Sequence, residues 1–157
     1  MAAVVLPDGE TRQVAGDLWF PNGMAVTPDG SALIVAESYA SRLTAFTLTA
    51  DGSLTERGIW AELDEGAAPN GICLDADGAV WYADVPNQHC RRVAEDGRVL
   101  DTVDVDRGCF ACMLGGPDGQ TCTSSPPTGN AWTGSKAAAA HRTGPRHDAA
   151  APHAGRP

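Results

Sequence analysis

Apolar residues in this chain fall in short runs separated by polar, glycine-rich breaks. Ala32 to Ala36 and Val80 to Ala83 are apolar throughout, and Leu43 to Leu48 and Cys90 to Val93 form further apolar segments. Helical periodicity is absent from this region. Unbroken apolar runs of this length predict strands covered on both faces instead of strands with one wet side. Between the runs stand Asp-Gly dipeptides at Asp8, Asp29, Asp51, Asp77, Asp96 and Asp118. Each predicts a hairpin turn, because glycine enters positive φ without strain. Successive dipeptides are 21, 22, 26, 19 and 22 residues apart, so every second turn returns after 43, 48, 45 or 41 residues.

A direct repeat has the same period. Phe20-Pro21-Asn22-Gly23-Met24-Ala25-Val26-Thr27-Pro28-Asp29-Gly30 aligns without a gap on Ala68-Pro69-Asn70-Gly71-Ile72-Cys73-Leu74-Asp75-Ala76-Asp77-Gly78, an offset of 48 residues. Beyond the turn, Leu33 to Glu37 lies over Val80 to Asp84 with one residue inserted in the first copy. Two hairpin turns in each period of 40 to 50 residues describe a four-stranded antiparallel propeller blade. A β-sandwich would also show short strands and Gly-rich turns, but it does not ask for this self-match. The predicted fold is therefore all-β, a partial β-propeller of about two and a half blades, from a half blade at Val4 to Trp19 to the start of another at Phe110. Propellers close with four or more blades, so this number predicts a fragment, a part of a larger assembly or a truncated product.

Composition divides the chain near Cys122. Of 157 residues, 1–122 carry 19 acidic and 7 basic side chains, a charge of −12, while 123–157 carry +3. After Leu114 there is no Val, Ile, Leu, Met, Phe or Tyr. Such a segment buries too little apolar surface to offset its ordering entropy, so 123–157 is expected to be a disordered tail with at most a helical turn at Lys136 to His141. The abrupt change reads as a shifted reading frame in a GC-rich gene or as a natural extension. The overall charge of −9 disfavours nucleic acid and anionic lipid as partners and favours cations or neutral small molecules. Met1 to Leu6 lacks a basic flank and is too short for a signal peptide or membrane span, so a cytoplasmic location without a membrane partner is expected. Five cysteines, an odd number among apolar neighbours, suit free thiols in a reducing compartment. Open blade edges would favour self-association.

Asn22 and Asn70 precede equivalent strands of successive blades. Equivalent positions ring a propeller axis, where two amide oxygens would converge on a hard cation such as Ca²⁺, Mg²⁺ or Mn²⁺. Alternatively, each Asn shapes a turn before glycine with its side chain bonded to local backbone. Both roles remain open on the residues alone.

Several motifs in order, Phe20-Pro21-Asn22-Gly23-Met24, Pro69-Asn70-Gly71-Ile72-Cys73-Leu74-Asp75-Ala76-Asp77-Gly78, Trp81-Tyr82-Ala83-Asp84 and Arg107-Gly108-Cys109-Phe110-Ala111-Cys112, resemble the gluconolactonase/regucalcin (senescence marker protein) family over roughly residues 4–120. The likeness covers the carboxy-terminal half of a usual member. It implies a six-bladed propeller that hydrolyses sugar lactones or related esters with one divalent cation, Ca²⁺ or else Zn²⁺, Mg²⁺ or Mn²⁺. It assigns Asn22 as a metal ligand, and it assigns the position of Asn70 as both metal ligand and general base. The family carries Asp at the second position, and an amide cannot accept a proton from water at neutral pH. A third ligand, a Glu in a Gly-Glu-Gly-Pro setting, has no counterpart, since neither Glu10 nor Glu65 lies in that context.

The remaining candidates have plainer expectations. Glu37 and Asp84 end the equivalent second strands and are expected to be solvated there, with a place near the channel or rim as the other outcome. Asp75 and Asp77 are expected to shape their turn, and Arg91 and Arg92 to be an exposed third-strand pair. Cys109 and Cys112 have the C-x₂-C spacing of zinc and redox sites, but strand residues three apart face opposite sides, and buried small side chains are the expectation. His141, His147 and His153 recur every six residues, which fits neither helix nor strand.

Overall fold

The computed structural model describes residues 1–116 and 121–125. Its elements are twelve strands: β1 (Ala2–Val5), β2 (Thr11–Ala15), β3 (Pro21–Val26), β4 (Ala32–Glu37), β5 (Arg42–Leu48), β6 (Leu54–Glu62), β7 (Pro69–Leu74), β8 (Val80–Asp84), β9 (His89–Val93), β10 (Val99–Asp104), β11 (Ala111–Gly115) and β12 (Thr121–Ser125). The glycines of five Asp-Gly pairs, Gly9, Gly30, Gly52, Gly78 and Gly97, have φ between 73° and 87°. Each donates its amide to the carbonyl three residues earlier, at 2.8 to 3.1 Å. These are tight turns closed by a left-handed glycine, and they join β1 to β2, β3 to β4, β5 to β6, β7 to β8 and β9 to β10. Asp118-Gly119 lies outside the described residues.

Two complete antiparallel four-stranded sheets result, β3-β4-β5-β6 and β7-β8-β9-β10, flanked by the two-stranded sheets β1-β2 and β11-β12. Strand β12 runs three residues past the compositional boundary at Cys122. Residues 126–157, with the helical turn expected at Lys136 to His141 and the three spaced histidines, lie outside the described residues. Among the described residues no helix is long and apolar enough to cross a membrane.

Alternating side chains of one strand fill two different cores. Val80 and Tyr82 of β8 pack with Ile34, Ala36, Leu43, Trp60 and Val93 between the two complete sheets. Trp81 and Ala83 turn the other way, into a cluster with Cys90, Cys109, Cys112 and Cys122. A strand with partners on both faces has no use for polar alternation, which is why Val80 to Ala83 reads as unbroken apolar sequence.

The inner strands β3, β7 and β11 run side by side in backbone contact. A β-carbon at Gly23 would stand 2.3 Å from the Asn70 carbonyl oxygen and 2.7 Å from the Ile72 nitrogen. One at Gly71 would stand 2.8 Å from the Ala111 Cα, and the Gly71 amide donates to the Phe110 carbonyl at 2.9 Å. Glycine follows each Asn because the next blade occupies the space of a side chain.

Candidate functional site

Both Pro-Asn-Gly copies form the same irregularity in the ladder. Pro21 pairs with Glu37 and Met24 with Val35, so Asn22 and Gly23 together oppose Ala36 alone. In the second blade Pro69 pairs with Asp84 and Ile72 with Tyr82, so Asn70 and Gly71 together oppose Ala83. Each copy is a β-bulge, a device that re-aims a side chain and recurs beside functional sites. Asn22 and Asn70 are half-buried, and among the described residues neither side-chain amide takes part in a hydrogen bond. They are strand-bulge residues, not turn residues bonded to their own backbone. They stand at the end of the sheets opposite the Asp-Gly turns, because the meander places the starts of β3 and β7 there.

The carboxylates that end the second strands anchor these bulges. Glu37 and Asp84 are both 0% exposed, which corrects the expectation of solvated strand ends. Glu37 Oε2 accepts the Trp19 amide at 2.6 Å, while Oε1 accepts Arg42 Nε at 3.0 Å, Arg57 Nη2 at 3.2 Å and the Thr44 hydroxyl. Asp84 accepts the Ala68 amide at 3.2 Å and Asn87 Nδ2 at 3.0 Å. Each carboxylate thus holds the backbone just ahead of its Pro-Asn-Gly. A buried charge requires such partners, and the missing solvation is replaced by charged donors at Glu37 and by neutral amides at Asp84. Burial alone would raise the Glu37 carboxyl, but the bonds from Arg42, Thr44 and the Trp19 amide outweigh it and hold the group at about 2. His89 Nε2 lies 3.3 Å from Asp84 Oδ2 without hydrogen-bond alignment, and burial and the neighbouring Arg91 lower its pKa. A signal for this arrangement does stand in the sequence: a basic residue follows each carboxylate at the fifth position, Arg42 after Glu37 and His89 after Asp84. The two members of each pair lie opposite one another on the second and third strands.

Asp75 shapes its turn as expected, its Oδ1 accepting the Asp77 and Ala79 amides at 2.9 and 3.0 Å, whereas Arg91 and Arg92 are not the exposed pair expected. Arg92 bonds Asp75 Oδ2 at 2.5 Å and Asp77 Oδ2 at 2.8 Å, and Arg91 pairs with Asp64. Both arginines are half-buried, since third-strand residues lie against the turn and loop of neighbouring strands. Trp19, Phe20 and Tyr39 are exposed beside Asn22, with the Phe20 and Tyr39 rings stacked at 4.5 Å. Strand periodicity carries no signal for this aromatic group, because the three residues sit outside the strands.

Cys109 lies ahead of β11, so strand alternation does not separate it from Cys112, and both thiols enter one buried cluster. Among the described residues, no group of three or more His, Cys, Asp or Glu has an arrangement able to hold a metal ion. The two side-chain amides of Asn22 and Asn70 are neutral oxygen groups, fewer than the six to eight oxygens that Ca²⁺ takes, and the described residues do not complete a cation site.

Four-stranded antiparallel sheets with their first strands packed side by side define a β-propeller segment. Solved propellers match it: the luciferin-regenerating enzyme with a TM-score of 0.70 at 19% identity, covering 78% of this chain and 42% of that one; a gluconolactonase from Xanthomonas campestris with 0.65 at 27% identity, covering 77% and 39%; and the calcium-binding regucalcin from Agrobacterium tumefaciens with 0.65 at 21% identity, covering 74% and 41%. The description of the SMP-30/Gluconolactonase/LRE-like region matches residues 2–123, and the chain belongs to this family. The 6-deoxy-6-sulfogluconolactonase of Pseudomonas putida is 29% identical over 119 residues, which are 73% of this chain and 41% of that protein. The chain thus spans about two fifths of the length of the relatives it matches.

Proposed function

We propose that the chain carries part of the site of a divalent-cation-dependent hydrolase acting on sugar lactones or related esters. The reading rests on the two identical Asn bulges at equivalent positions of adjacent blades, whose side-chain amides are free of hydrogen bonds among the described residues. It also draws on relatives named as a gluconolactonase and a sulfogluconolactonase. Asn22 and Asn70 would hold the cation through their amide oxygens, with donors from further blades completing the shell. Calcium is the first candidate, since a structural relative is described as calcium-binding. When bound, a cation of this kind polarises the lactone carbonyl and offsets developing negative charge. Glu37 and Asp84 fix the bulges but are themselves fully engaged as acceptors. Asn70 positions without accepting a proton, so activation of water falls to another base.

Hydrolysis of a simple aldonolactone with and without added cation tests the proposal, together with thermal melting with and without Ca²⁺. In a full-length context calcium is expected to raise the melting temperature, and Asn22→Ala to abolish the rise. No calcium-dependent shift in that context would overturn the cation assignment. A second reading, a non-catalytic cation-binding or protein-interaction propeller segment, is favoured by one observation, the amide at Asn70 where the family resemblance asks for a carboxylate. Calcium-dependent melting without hydrolysis supports that reading. Asn70→Asp in a full-length context is expected to increase metal-dependent hydrolysis, and an unchanged rate would remove Asn70 from the reacting centre.

A further inference from the structure

All five cysteines of the chain meet on one side of β8, although they come from β7, β9, the segment ahead of β11, β11 itself and β12. Trp81, Ala83, Val103 and Leu114 close the cluster from the sides. Within it, Cys90 Sγ and Cys109 Sγ are 3.0 Å apart, and each residue is 1% exposed. A disulfide bond is about 2.05 Å long, so joining these sulfurs takes an approach of about 1 Å. The close approach has a backbone cause. Gly108 passes so near β8's end that a β-carbon on it would lie 3.2 Å from the Val85 carbonyl oxygen, which delivers Cys109 onto Cys90 of the adjacent strand.

We propose that Cys90 and Cys109 form a peroxide-oxidisable thiol pair that closes reversibly to a disulfide. Cys109 is the thiol to react first. Its flanks Asp106, Arg107 and Phe110 are exposed loop residues, so a local opening admits a small neutral oxidant without unfolding a sheet. The hydrogen bond from Cys90 also lowers the Cys109 thiol toward its ionised, nucleophilic form. The Cys109 thiolate attacks one oxygen of hydrogen peroxide, forming an S–O bond as the O–O bond breaks. The departing hydroxide takes a proton and leaves as water. Cys90 then attacks the sulfenic sulfur of Cys109, the S–S bond forms, the S–O bond breaks, and a second water leaves. Two thiols lose two electrons and peroxide is reduced to two waters.

The bond ties β9 of one blade to the entry of β11 in the next. That entry includes Phe110, whose carbonyl receives the Gly71 amide, and Cys112, whose thiol donates to the Gly71 carbonyl at 3.5 Å. Oxidation would thus clamp the strand beside Asn70, whether or not Asn70 binds a cation.

The chain treated with hydrogen peroxide, denatured and alkylated is expected to lose the mass of two hydrogens and two of its five alkylatable thiols. Non-reducing digestion with fragment sequencing should place the link between Cys90 and Cys109, and a thiol reductant should reverse it. Cys109→Ser should abolish the link, whereas Cys73→Ser and Cys122→Ser should retain it. Linkage of any other pair, irreversible oxidation of single cysteines without a link, or five thiols still alkylatable after treatment would each overturn the proposal. The link is measured in the unsubstituted chain, so the test stands even where a serine variant fails to fold.

Discussion

Replacing Glu37 by Gln tests whether the strand-end carboxylates anchor the blades. The substitution keeps shape but removes the charge that Arg42 and Arg57 share, and it offers a donor group where the Trp19 amide and the Thr44 hydroxyl already donate. The carboxyl falls from an ordinary 4.5 to about 2 on folding. A folded-state pKa below the unfolded value means that the folded chain holds its proton less tightly. The stabilisation is therefore full at neutral pH and is lost as pH falls from about 4.5 through about 2. Taken at face value the shift is worth about 3 kcal/mol. Water reaching Arg42 and Arg57, 23% and 35% exposed, takes the pair contribution somewhat below that ceiling. Removing one member of a buried pair costs about 3 to 5 kcal/mol when the partners stay dry, so about 2 to 3 kcal/mol is expected here at pH 7. Urea unfolding of both chains from pH 7 to pH 3 measures it. The gap should narrow by about 2 kcal/mol over that range as the unfolded chain's carboxyl takes up its proton while the native carboxylate stays ionised. A cost below about 1 kcal/mol at pH 7, or a gap that does not change with pH, would refute the anchor.

Gly71→Ala should destabilise the fold by about 1 to 3 kcal/mol, because its β-carbon would lie 2.8 Å from the Ala111 Cα and backbone must move; chemical denaturation checks this, with Gly58→Ala, which meets nothing within 4 Å, as the control. His89 has a lowered pKa in the fold, so stability should decline as pH drops below the ordinary value of 6.5, where the unfolded chain takes up the proton first. Melting temperatures from pH 8 to pH 5 should show this decline, and His89→Gln should flatten it. Val80→Ala, at a side chain with no exposure between the two complete sheets, should cost about 1 to 3 kcal/mol in urea unfolding.

The features of this propeller that depend on neighbours in sequence are legible along the chain. Asp-Gly at each hairpin, the 48-residue recurrence of Pro-Asn-Gly and the unbroken apolar strands are local or periodic, so they prescribe turns, blades and two-sided burial directly. The family resemblance rests on the same local motifs. Residues 123–157 are set apart by composition, and all but the end of β12 lie outside the described residues.

What required the tertiary structure is everything set by contact between distant segments. Glu37 and Asp84 look like solvated strand ends because a carboxylate is usually wet, and only the arrival of Arg57 from β6, or of the Ala68 amide and the Asn87 side chain, makes their burial tolerable. Gly23 and Gly71 look like turn residues, yet the need for glycine there comes from the backbone of the next blade. Cys109 and Cys112 look like opposite faces of one strand until the loop ahead of β11 folds Cys109 back onto Cys90. The opening Pro-Asn-Gly shows both sides of the division. Its repetition announces the blades, because periodicity is written along the chain, while its bulge and its anchoring carboxylate arise only when the strands of one blade are laid together, and its need for glycine only when the next blade packs against it.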